Sequence, residues 1–220
     1  MVGGVLFDFG NTLFAHAPLA VTIEESAARV GLQISRTDAY RIAARIDAAA
    51  MTSDELARQR DLDATVWRRR WQVLYALADD WGEGLGTAIY ESMHAPSEWI
   101  PYSHSAATLQ SLHAHGVAVG IVSNTGWDVR AVFAAHAMFD SVSSFTLSYE
   151  AGFVKPDHGI FDAACVSLGL EPTRVMMVGD DPIADSGAVR AGIRTLLLPP
   201  VAPGLDNGVA GVLRLIGIDE

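Results

Sequence analysis

The sequence has little cysteine, few basic residues and no long apolar run. Cys165 is its one cysteine, which excludes an internal disulfide and a cysteine-rich zinc site. No uninterrupted apolar run approaches the length of a membrane-spanning helix. The start, MVGGVLFDFG, lacks a basic region and a cleavage signal, and its apolar residues are typical of a first strand. We therefore expect a cytoplasmic protein with no membrane partner.

The scarcity of basic residues bears on the partners of the chain. Lys and Arg number 15 against 26 Asp and Glu, and the formal net charge is -11. A chain with this charge is not expected to bind nucleic acid. It can still accept an anionic substrate, because a metal ion inverts the local field of one site. With 50% hydrophobic and 19% charged residues, the 220-residue chain is expected to fold around a substantial core.

Five short apolar runs, each ended by polar, glycine or proline residues, are typical of buried parallel strands. In chain order they are GVLFDFG, GVAVGIVSNTG, FTLSYEAG, RVMMVGDD and RTLLLPP. Helical patterns lie around them: SAATLQSLHAHG and DVRAVFAAH on either side of the second run, and HGIFDAACVSLGL and DSGAVRAGI on either side of the fourth. This alternation predicts an α/β fold, with a parallel sheet covered by helices on both faces.

One segment breaks the alternation. From about Pro18 to Pro96 the chain is rich in Ala and Arg, and its pattern is helical without a convincing strand. A block of helices between the first and second strands indicates an inserted α-helical subdomain. We place the main domain at residues 1–15 and 98–220, and the inserted subdomain at residues 16–97.

Polar residues follow four of the predicted strands. In chain order they are Asp8, then Ser123 with Asn124, then Lys155 in the loop beyond the third strand, then Asp180 with Asp181. Ligands bind at the carboxyl edge of open parallel sheets, so these residues are expected to share one site. Each has an ordinary alternative when taken alone, such as a turn aspartate at Asp8 or a helix cap at Ser123. Their shared position and order favour the functional interpretation.

The residue types at these positions suit phosphoryl chemistry. A carboxylate at the tip of a buried strand is costly unless it is paired, and Asp8 with Asp180 can hold Mg²⁺. The Lys155 ammonium, the Ser123 hydroxyl and exposed loop N–H groups can hold phosphoryl oxygens. Asp8 is then the candidate nucleophile, as in enzymes that form an aspartyl-phosphate. A small phosphorylated molecule is the expected substrate.

Four motifs, DFGNTL, VSNTG, AGFVKPD and VGDDPIADSGA, resemble in sequence and order those of the haloacid dehalogenase superfamily, subfamily I, with a helical cap. The stretch SYEAGFVKPDHGIF is particularly similar to the lysine motif of that subfamily. The resemblance covers essentially the whole chain. It implies a Rossmann-like core, the cap as the inserted subdomain, bound Mg²⁺, and hydrolysis of a phosphoryl or carbon–halogen bond.

The resemblance also assigns roles to single residues. It implies a nucleophilic Asp8 assisted by Ser123 and Lys155, and a metal held by Asp8, Asp180 and the backbone carbonyl of Gly10. Asp181 and Asp185 would bind metal-bound waters or orient their neighbours, and for Asp185 a first-turn acid of a helix is a plausible alternative. The implied substrate-binding residues are Gly10, Asn11, Thr12, Ser123, Asn124 and Lys155.

Gly10 departs from the family pattern. The phosphatases of the family resemble Asp-x-Asp-x-Thr in the first motif, and their second aspartate protonates the leaving alcohol and later activates water. Such general acid–base catalysis contributes about 10²–10⁴-fold. His16 could reach the cleft as a substitute donor, but a linker histidine without a role is an equal alternative, and the same holds for His94 and His104.

The arginines of WRRRW (67–71) in the cap also allow two interpretations. A basic helix facing the site could bind an anionic substrate tail. Solvated arginines Arg68 to Arg70 beside core tryptophans on an amphipathic helix are the more ordinary alternative. The cap helices are expected to determine the substrate.

Three functions remain open. The first is a Mg²⁺-dependent phosphohydrolase that favours good leaving groups. The second is a dehalogenase or a phosphonatase-type hydrolase; family dehalogenases resemble Asp-x-Tyr-Gly-Thr and lack the metal-binding aspartate, so Gly10 and Asp180 disagree with that pattern. The third is a degenerate relative that binds a ligand or a protein partner without turnover. Gly10 favours the third function, and intact Asp8, Lys155 and Asp180 count against it.

Overall fold

The computed structural model describes residues 2–218. The strands of this part are β1 (Gly4–Phe7), β2 (Phe14–His16), β3 (Trp99–Pro101), β4 (Ala118–Ser123), β5 (Ser144–Leu147), β6 (Val175–Gly179) and β7 (Arg194–Leu197). A five-stranded parallel sheet has the order β5-β4-β1-β6-β7, and β2 pairs antiparallel with β3. The predicted α/β fold with a parallel sheet is confirmed.

The α-helices are α1 (Leu19–Arg29), α2 (Arg36–Ala50), α3 (Ser53–Leu56), α4 (Ala64–Tyr75), α5 (Leu85–Met93), α6 (Ser105–Ala114), α7 (Arg130–Ala135), α8 (Ser148–Ala151), α9 (His158–Leu168) and α10 (Gly211–Ile216). Side-chain caps fix several of their starts. Ser35 accepts from the Asp38 N–H at α2, and Asp63 accepts from two N–H groups at α4. In the described residues, no helix combines the length and the apolar character needed to cross a membrane.

The central strand β1 is buried on both faces. Val5 and Phe7 belong to one hydrophobic cluster, which includes residues of α6 and α7, and Leu6 belongs to another, which includes residues of α9. Alternate residues of a strand point to opposite faces, so helices cover both sides of the sheet, as predicted. The carboxyl ends of β1, β4 and β6 therefore meet at one edge.

The helices from α1 to α5 pack around a third hydrophobic cluster. Its members lie between Leu19 and Met93, and on α2 the buried residues follow helical spacing, as at Ala39, Ile42 and Ile46. No strand lies within Leu19–Met93 among the described residues, as the sequence predicts. We call Leu19–Met93 the helical block. The division of the chain at residues 16 and 97 stays a prediction.

Three local features differ from the sequence expectations or were not part of them. The second half of FTLSYEAG forms α8 instead of continuing β5; at its start the Ser148 hydroxyl donates to the Asp61 carbonyl at 2.6 Å and accepts from the Thr125 N–H at 2.9 Å. DSGAVRAGI forms a 3₁₀ helix at Asp185–Ala191. The pair β2–β3 was not foreseen, since Phe14–His16 is too short to show an alternating pattern.

Candidate active site

Lys155 joins two carboxylates at the carboxyl edge of the sheet. Its Nζ lies 2.7 Å from Asp8 Oδ1 and 2.6 Å from Asp185 Oδ1. Asp8 directly follows β1, and its N–H donates to the Val178 carbonyl of β6, which fixes its position. All three side chains are buried. Lys155 is also the one lysine of the chain.

Asn124 holds the Lys155 backbone from the end of β4. Its Oδ1 accepts from the Lys155 N–H at 2.7 Å, and its Nδ2 donates to the Lys155 carbonyl at 3.0 Å. The amide that was predicted to bind substrate is therefore engaged in positioning Lys155. Ser123, the last residue of β4, is buried and lines the cleft beside Asp8.

Asp185 fixes the loop that carries the other acidic residues. Its Oδ2 accepts from the N–H groups of Asp180 and Asp181 at 3.0 and 2.9 Å, and its side chain is fully buried. Asp181 in turn accepts from the N–H groups of Ile183 and Ala184 through Oδ1. Asp185 thus hydrogen-bonds both the loop and the Lys155 ammonium.

The loop after β1 reaches the same place. The Thr12 hydroxyl donates to Asp180 Oδ1 at 3.2 Å, so its side chain serves Asp180 and does not line the cleft. Asn11 lines the cleft and has a positive φ of 56°, which Asn tolerates better than most residues. Asn207 was missed by the sequence analysis; its Nδ2 donates to the Thr12 carbonyl at 2.9 Å.

The buried cluster holds more carboxylates than positive charges, and this shifts the pKa values of its members. Burial raises the pKa of Asp8 to about 7, against the lowering effect of Lys155. Burial and the Asp185 carboxylate also raise the pKa of Asp180. Burial alone would lower the pKa of Lys155, but Asp8 and Asp185 raise it, so the lysine stays charged. Three carboxylates face one ammonium.

The same carboxylates suit a divalent cation. Asp8, Asp180 and Asp185 each offer an oxygen, and these oxygens lie within 4.8 Å of one another. Both oxygens of Asp185 already accept hydrogen bonds, which leaves Asp8 and Asp180 as the candidate ligands. Mg²⁺ takes one or two carboxylates together with other oxygens, and Gly10 lines the cleft beside Asp8. The donor set therefore fits Mg²⁺.

The space beside Gly10 is open. A Cβ added there would meet no heavy atom of the described residues within 4 Å. Gly10 is also not among the residues with a positive φ, so its backbone does not require glycine. No side chain of the part that the structure describes fills the place of an acid at this position.

The three candidate histidines do not supply the missing acid. His94 lines the cleft, but its Nδ1 lies 2.8 Å from the Tyr90 carbonyl oxygen and its Nε2 accepts from Trp67 Nε1 at 3.1 Å. Burial lowers the pKa of His94, which keeps it neutral. His16 contacts Ser92 and does not line the cleft, and His104 is exposed at the start of α6.

A cavity of about 340 Å³ lies above Asp8, between the helical block and the sheet edge. Trp67 and Trp71 of WRRRW line it; Trp71 also packs against the hydrophobic cluster of the helical block, so the expectation of core tryptophans holds for Trp71 and not for Trp67. Arg68 and Arg69 are exposed, as in the more ordinary interpretation, and Arg70 binds the buried Glu55 with Nη2 at 2.7 Å from Oε2. The aromatic lining also includes residues that the sequence analysis missed, Trp99 and Trp127.

The comparison with protein families gives one match over most of the chain. The model described as "Hydrolase: haloacid dehalogenase-like hydrolase" matches residues 2–192. This range holds the four motifs and every residue of the buried cluster around Lys155. The match therefore rests on the part of the chain that builds the site.

Curated relatives include different kinds of hydrolase. A glyceraldehyde 3-phosphate phosphatase of Methanothermobacter thermautotrophicus is 28% identical over 207 residues, 90% of this chain and 86% of that protein. Haloacid dehalogenase-like hydrolase domain-containing protein 3 of Danio rerio is 27% identical over 88% of this chain and 84% of that protein. An (S)-2-haloacid dehalogenase 4A of Burkholderia cepacia is 27% identical over 72% and 79%.

Solved structures share the fold. A putative HAD-hydrolase of Bacillus subtilis, bound to magnesium, has a TM-score of 0.71 at 16% identity and covers 99% of both chains. An L-2-haloacid dehalogenase of Xanthobacter autotrophicus, with chloropropionic acid covalently bound, has a TM-score of 0.69 at 19% identity over 100% of both chains. At these identities the likeness extends to the fold alone.

Proposed function

Because the chain belongs to the haloacid dehalogenase-like hydrolases, we propose that it is a Mg²⁺-dependent phosphohydrolase that acts on a small phosphorylated molecule through Asp8. The observation that supports this best is the buried Asp8 carboxylate, which lies 2.7 Å from the Lys155 ammonium at the floor of the cleft. A second carboxylate, that of Asp180, stands in the same cluster. The arrangement offers a nucleophile, a fixed cation and a place for a metal.

In this mechanism a carboxylate oxygen of Asp8 attacks phosphorus. The new O–P bond forms as the bond from phosphorus to the leaving oxygen breaks, and the leaving group takes the electron pair. Water then hydrolyses the aspartyl-phosphate, which releases inorganic phosphate and restores Asp8. Lys155 stabilises the charge of the transferring group, a preorganised electrostatic role. Ser123 lines the same cleft, and its hydroxyl would bind a phosphoryl oxygen.

Asp8, Asp180 and the backbone carbonyl of Gly10 would hold Mg²⁺. When bound there, the cation offsets the charge of the carboxylates and of the phosphoryl oxygens. Thr12 and Asp185 contribute indirectly, because they hydrogen-bond Asp180 and fix its loop. Such outer contacts orient the direct ligands of a metal.

Gly10 restricts the substrates that this site can process. No side chain of the described residues stands in the place of the general acid, so the leaving group has to depart without a proton from the protein. Aryl and acyl phosphates meet this condition better than alkyl phosphates. Phosphonates meet it when their leaving group is a stabilised carbanion.

Hydrolysis of a carbon–halogen bond is the second candidate, favoured by the relative from Burkholderia cepacia. In that reaction Asp8 would displace halide from carbon, and no proton donor would be needed. The excess of carboxylates over ammonium groups in the cluster counts against it, because those carboxylates favour a bound cation. A binding protein without turnover is disfavoured by the intact Asp8–Lys155 pair.

The test is a substrate panel assayed with and without Mg²⁺. It contains alkyl phosphates, aryl phosphates, acetyl phosphate, phosphonates and 2-haloacids, with Asp8→Asn as the matched variant. We expect Mg²⁺-dependent release of phosphate from aryl and acetyl phosphates and none from Asp8→Asn, since the amide is a poor nucleophile and metal ligand. Metal-independent release of halide would favour the second candidate, and substantial turnover by folded Asp8→Asn would exclude the covalent mechanism.

A further inference from the structure

The wall of the cleft is largely aromatic. Residues of the helical block and of the sheet edge contribute to it: Phe9, Trp67, Trp71, Tyr75, Trp99 and Trp127. The chain has 5 Trp, and four of them stand in this one lining. Core packing alone does not require tryptophans around a cavity that leads to the catalytic carboxylate.

The rings form a continuous series across the cleft. On the side of the helical block, Trp71 stacks on Tyr75 with ring centroids 5.3 Å apart, and Trp67 follows Trp71 at 5.6 Å. On the opposite side Phe9, the neighbour of Asp8, lies 4.5 Å from Trp99. Aromatic rings interact favourably at such distances, so an aromatic ligand could join the series on either side.

His94 connects the two sides of the series. Its ring centroid is 5.2 Å from that of Trp127 and 6.5 Å from that of Trp67. Both of its nitrogens hydrogen-bond within the protein, and burial lowers its pKa. His94 therefore acts as another uncharged ring of the wall.

The lining offers no free positive charge to an anionic tail of the substrate. Among the described residues that line the cavity, Lys155 is the one Lys or Arg, and two aspartates already bind it. Arg70 points to Glu55, and Arg60 lies over the Trp71 ring at 4.8 Å without lining the cavity. Asp180 and Asp181 would repel an anionic tail. The cleft is thus suited to an uncharged apolar group above the reacting phosphorus.

From these contacts we infer that the substrate is a phosphate monoester of an uncharged phenol, whose ring binds between the aromatic side chains of the helical block and those of the sheet edge. The inference rests on the proposed function and narrows its substrate class. Asp8 attacks phosphorus, the bond from phosphorus to the aryl oxygen breaks, and the aryl oxide leaves with the electron pair. An aryl oxide is a much weaker base than an alkoxide, so it can leave as the anion without an acid at position 10, and solvent protonates it after its release.

The kinetic test separates recognition of the ring from the quality of the leaving group. Acetyl phosphate has a good leaving group and no ring, so it is the reference for 4-nitrophenyl phosphate. We compare kcat/KM for the aryl substrate with kcat/KM for acetyl phosphate. Trp67→Leu is expected to lower this ratio by about 10-fold, through a higher KM for the aryl substrate. Trp67→Phe keeps an aromatic ring and is expected to retain most of the wild-type ratio. Trp81→Leu is the matched control, because Trp81 packs in the same helical block and does not line the cavity.

Binding gives a readout that does not depend on turnover. Phenylphosphonate and methylphosphonate differ in the ring alone, and their Kd values are measured by calorimetry with Mg²⁺ present. We expect phenylphosphonate to bind about 10-fold more tightly to the wild type, with the difference largely lost in Trp67→Leu.

The outcomes are distinguishable. Equal Kd values for the two phosphonates would overturn the inference of an aromatic substrate and leave the proposed phosphohydrolase intact. The same conclusion would follow if Trp67→Leu, like Trp81→Leu, lowered kcat/KM for 4-nitrophenyl phosphate and for acetyl phosphate by the same factor. Tighter binding of phenylphosphonate without turnover of any phosphate would support the aromatic site and contradict the proposed function.

Discussion

Lys155 and Asp185 form an ion pair 2.6 Å long whose side chains are 3% and 0% exposed. The same carboxylate accepts two backbone N–H groups from the loop that carries Asp180. The position of the lysine and the shape of the metal-side loop are therefore set by one buried residue. A buried pair of this kind is costly to break, because each partner would be left charged without compensation.

Lys155→Ala should abolish phosphate binding and lower turnover by about 10²–10³-fold, because a preorganised charge is removed from the transferring group. It should also reduce the free energy of unfolding by about 3–5 kcal/mol, since Asp8 and Asp185 lose their counter-charge. Thermal denaturation and phosphate calorimetry measure the two effects. The double variant Lys155→Ala with Asp185→Asn should recover part of the stability and none of the activity; recovery of both would contradict a catalytic role for the lysine.

Asp180→Ala should remove Mg²⁺ binding, because Asp8 alone offers too few anionic ligands. Asp181→Asn is the matched variant: its Oδ1 can still accept from the N–H groups of Ile183 and Ala184, so we expect at most about a 10-fold loss of affinity. Calorimetric titration with Mg²⁺ compares them. Wild-type affinity in Asp180→Ala would remove Asp180 from the set of metal ligands.

Gly10→Asp should raise activity on alkyl phosphates more than activity on aryl phosphates. The side chain has open space and the backbone does not require glycine, so the variant is expected to fold. A restored acid contributes at most about 10²–10⁴-fold, and alkyl leaving groups need it more. Gly211→Asp adds the same side chain outside the cleft and should change neither rate.

Circular dichroism accompanies these kinetics. A well-folded Gly10→Asp protein without a gain that depends on the leaving group would show that the missing acid does not limit the site. That result would favour either a specialised hydrolytic reaction or a protein that binds its ligand without turnover.

Gly126→Ala should force the helical block away from the sheet edge. The added Cβ would clash with the Cβ of Trp67, and that atom is fixed on α4. We expect a loss of about 1–3 kcal/mol in the free energy of unfolding and a higher KM, because the wall of the cleft moves. Gly211→Ala meets no neighbour within 4 Å in the described structure and is the control. Equal melting temperatures for the two variants would refute the contact.

Amine-directed acylation should spare Lys155 in the folded protein and modify it in urea. Lys155 is the one lysine of the chain, it is buried, and its partners raise its pKa, so the reactive neutral amine is scarce. Arg69→Lys, at an exposed position, should be acylated under both conditions. Mass spectrometry of the peptides reads the result; rapid native modification of Lys155 would contradict its burial.

The sheet and the cluster at its edge could be predicted because both depend on local patterns. Asp8 and Asp180 directly follow apolar runs, Lys155 lies in the loop beyond a third, and the parallel sheet brings the ends of those runs to one edge. The contacts of Thr12 and Asn124 could not be predicted, because a residue at the right edge can point either to the substrate or to a neighbouring loop. The Thr12 hydroxyl donates to Asp180, and the Asn124 amide donates to the Lys155 carbonyl.

The aromatic wall escaped the sequence analysis for another reason. Trp67 and Trp71 have the spacing of core residues on an amphipathic helix, and their environment depends on where the helical block sits above the sheet. Trp99 lies in a strand too short to recognise, and Trp127 lies in a loop. Trp127 directly follows the second motif, VSNTG, and this position near Asn124 was the one signal in the sequence that placed it close to the site.

The pairing of β1 with distant strands also orders the folding of the chain. Gly4 pairs with Ala118 of β4 and with Val175 of β6, whereas the helical block packs around a cluster drawn from Leu19–Met93 alone. On the ribosome the helical block is complete before β4 has been made, so it can fold while β1 still lacks both neighbours. Until β4 and β6 emerge, the apolar residues of β1 have no strand to pair with, and unpaired apolar strands are prone to aggregate with other chains.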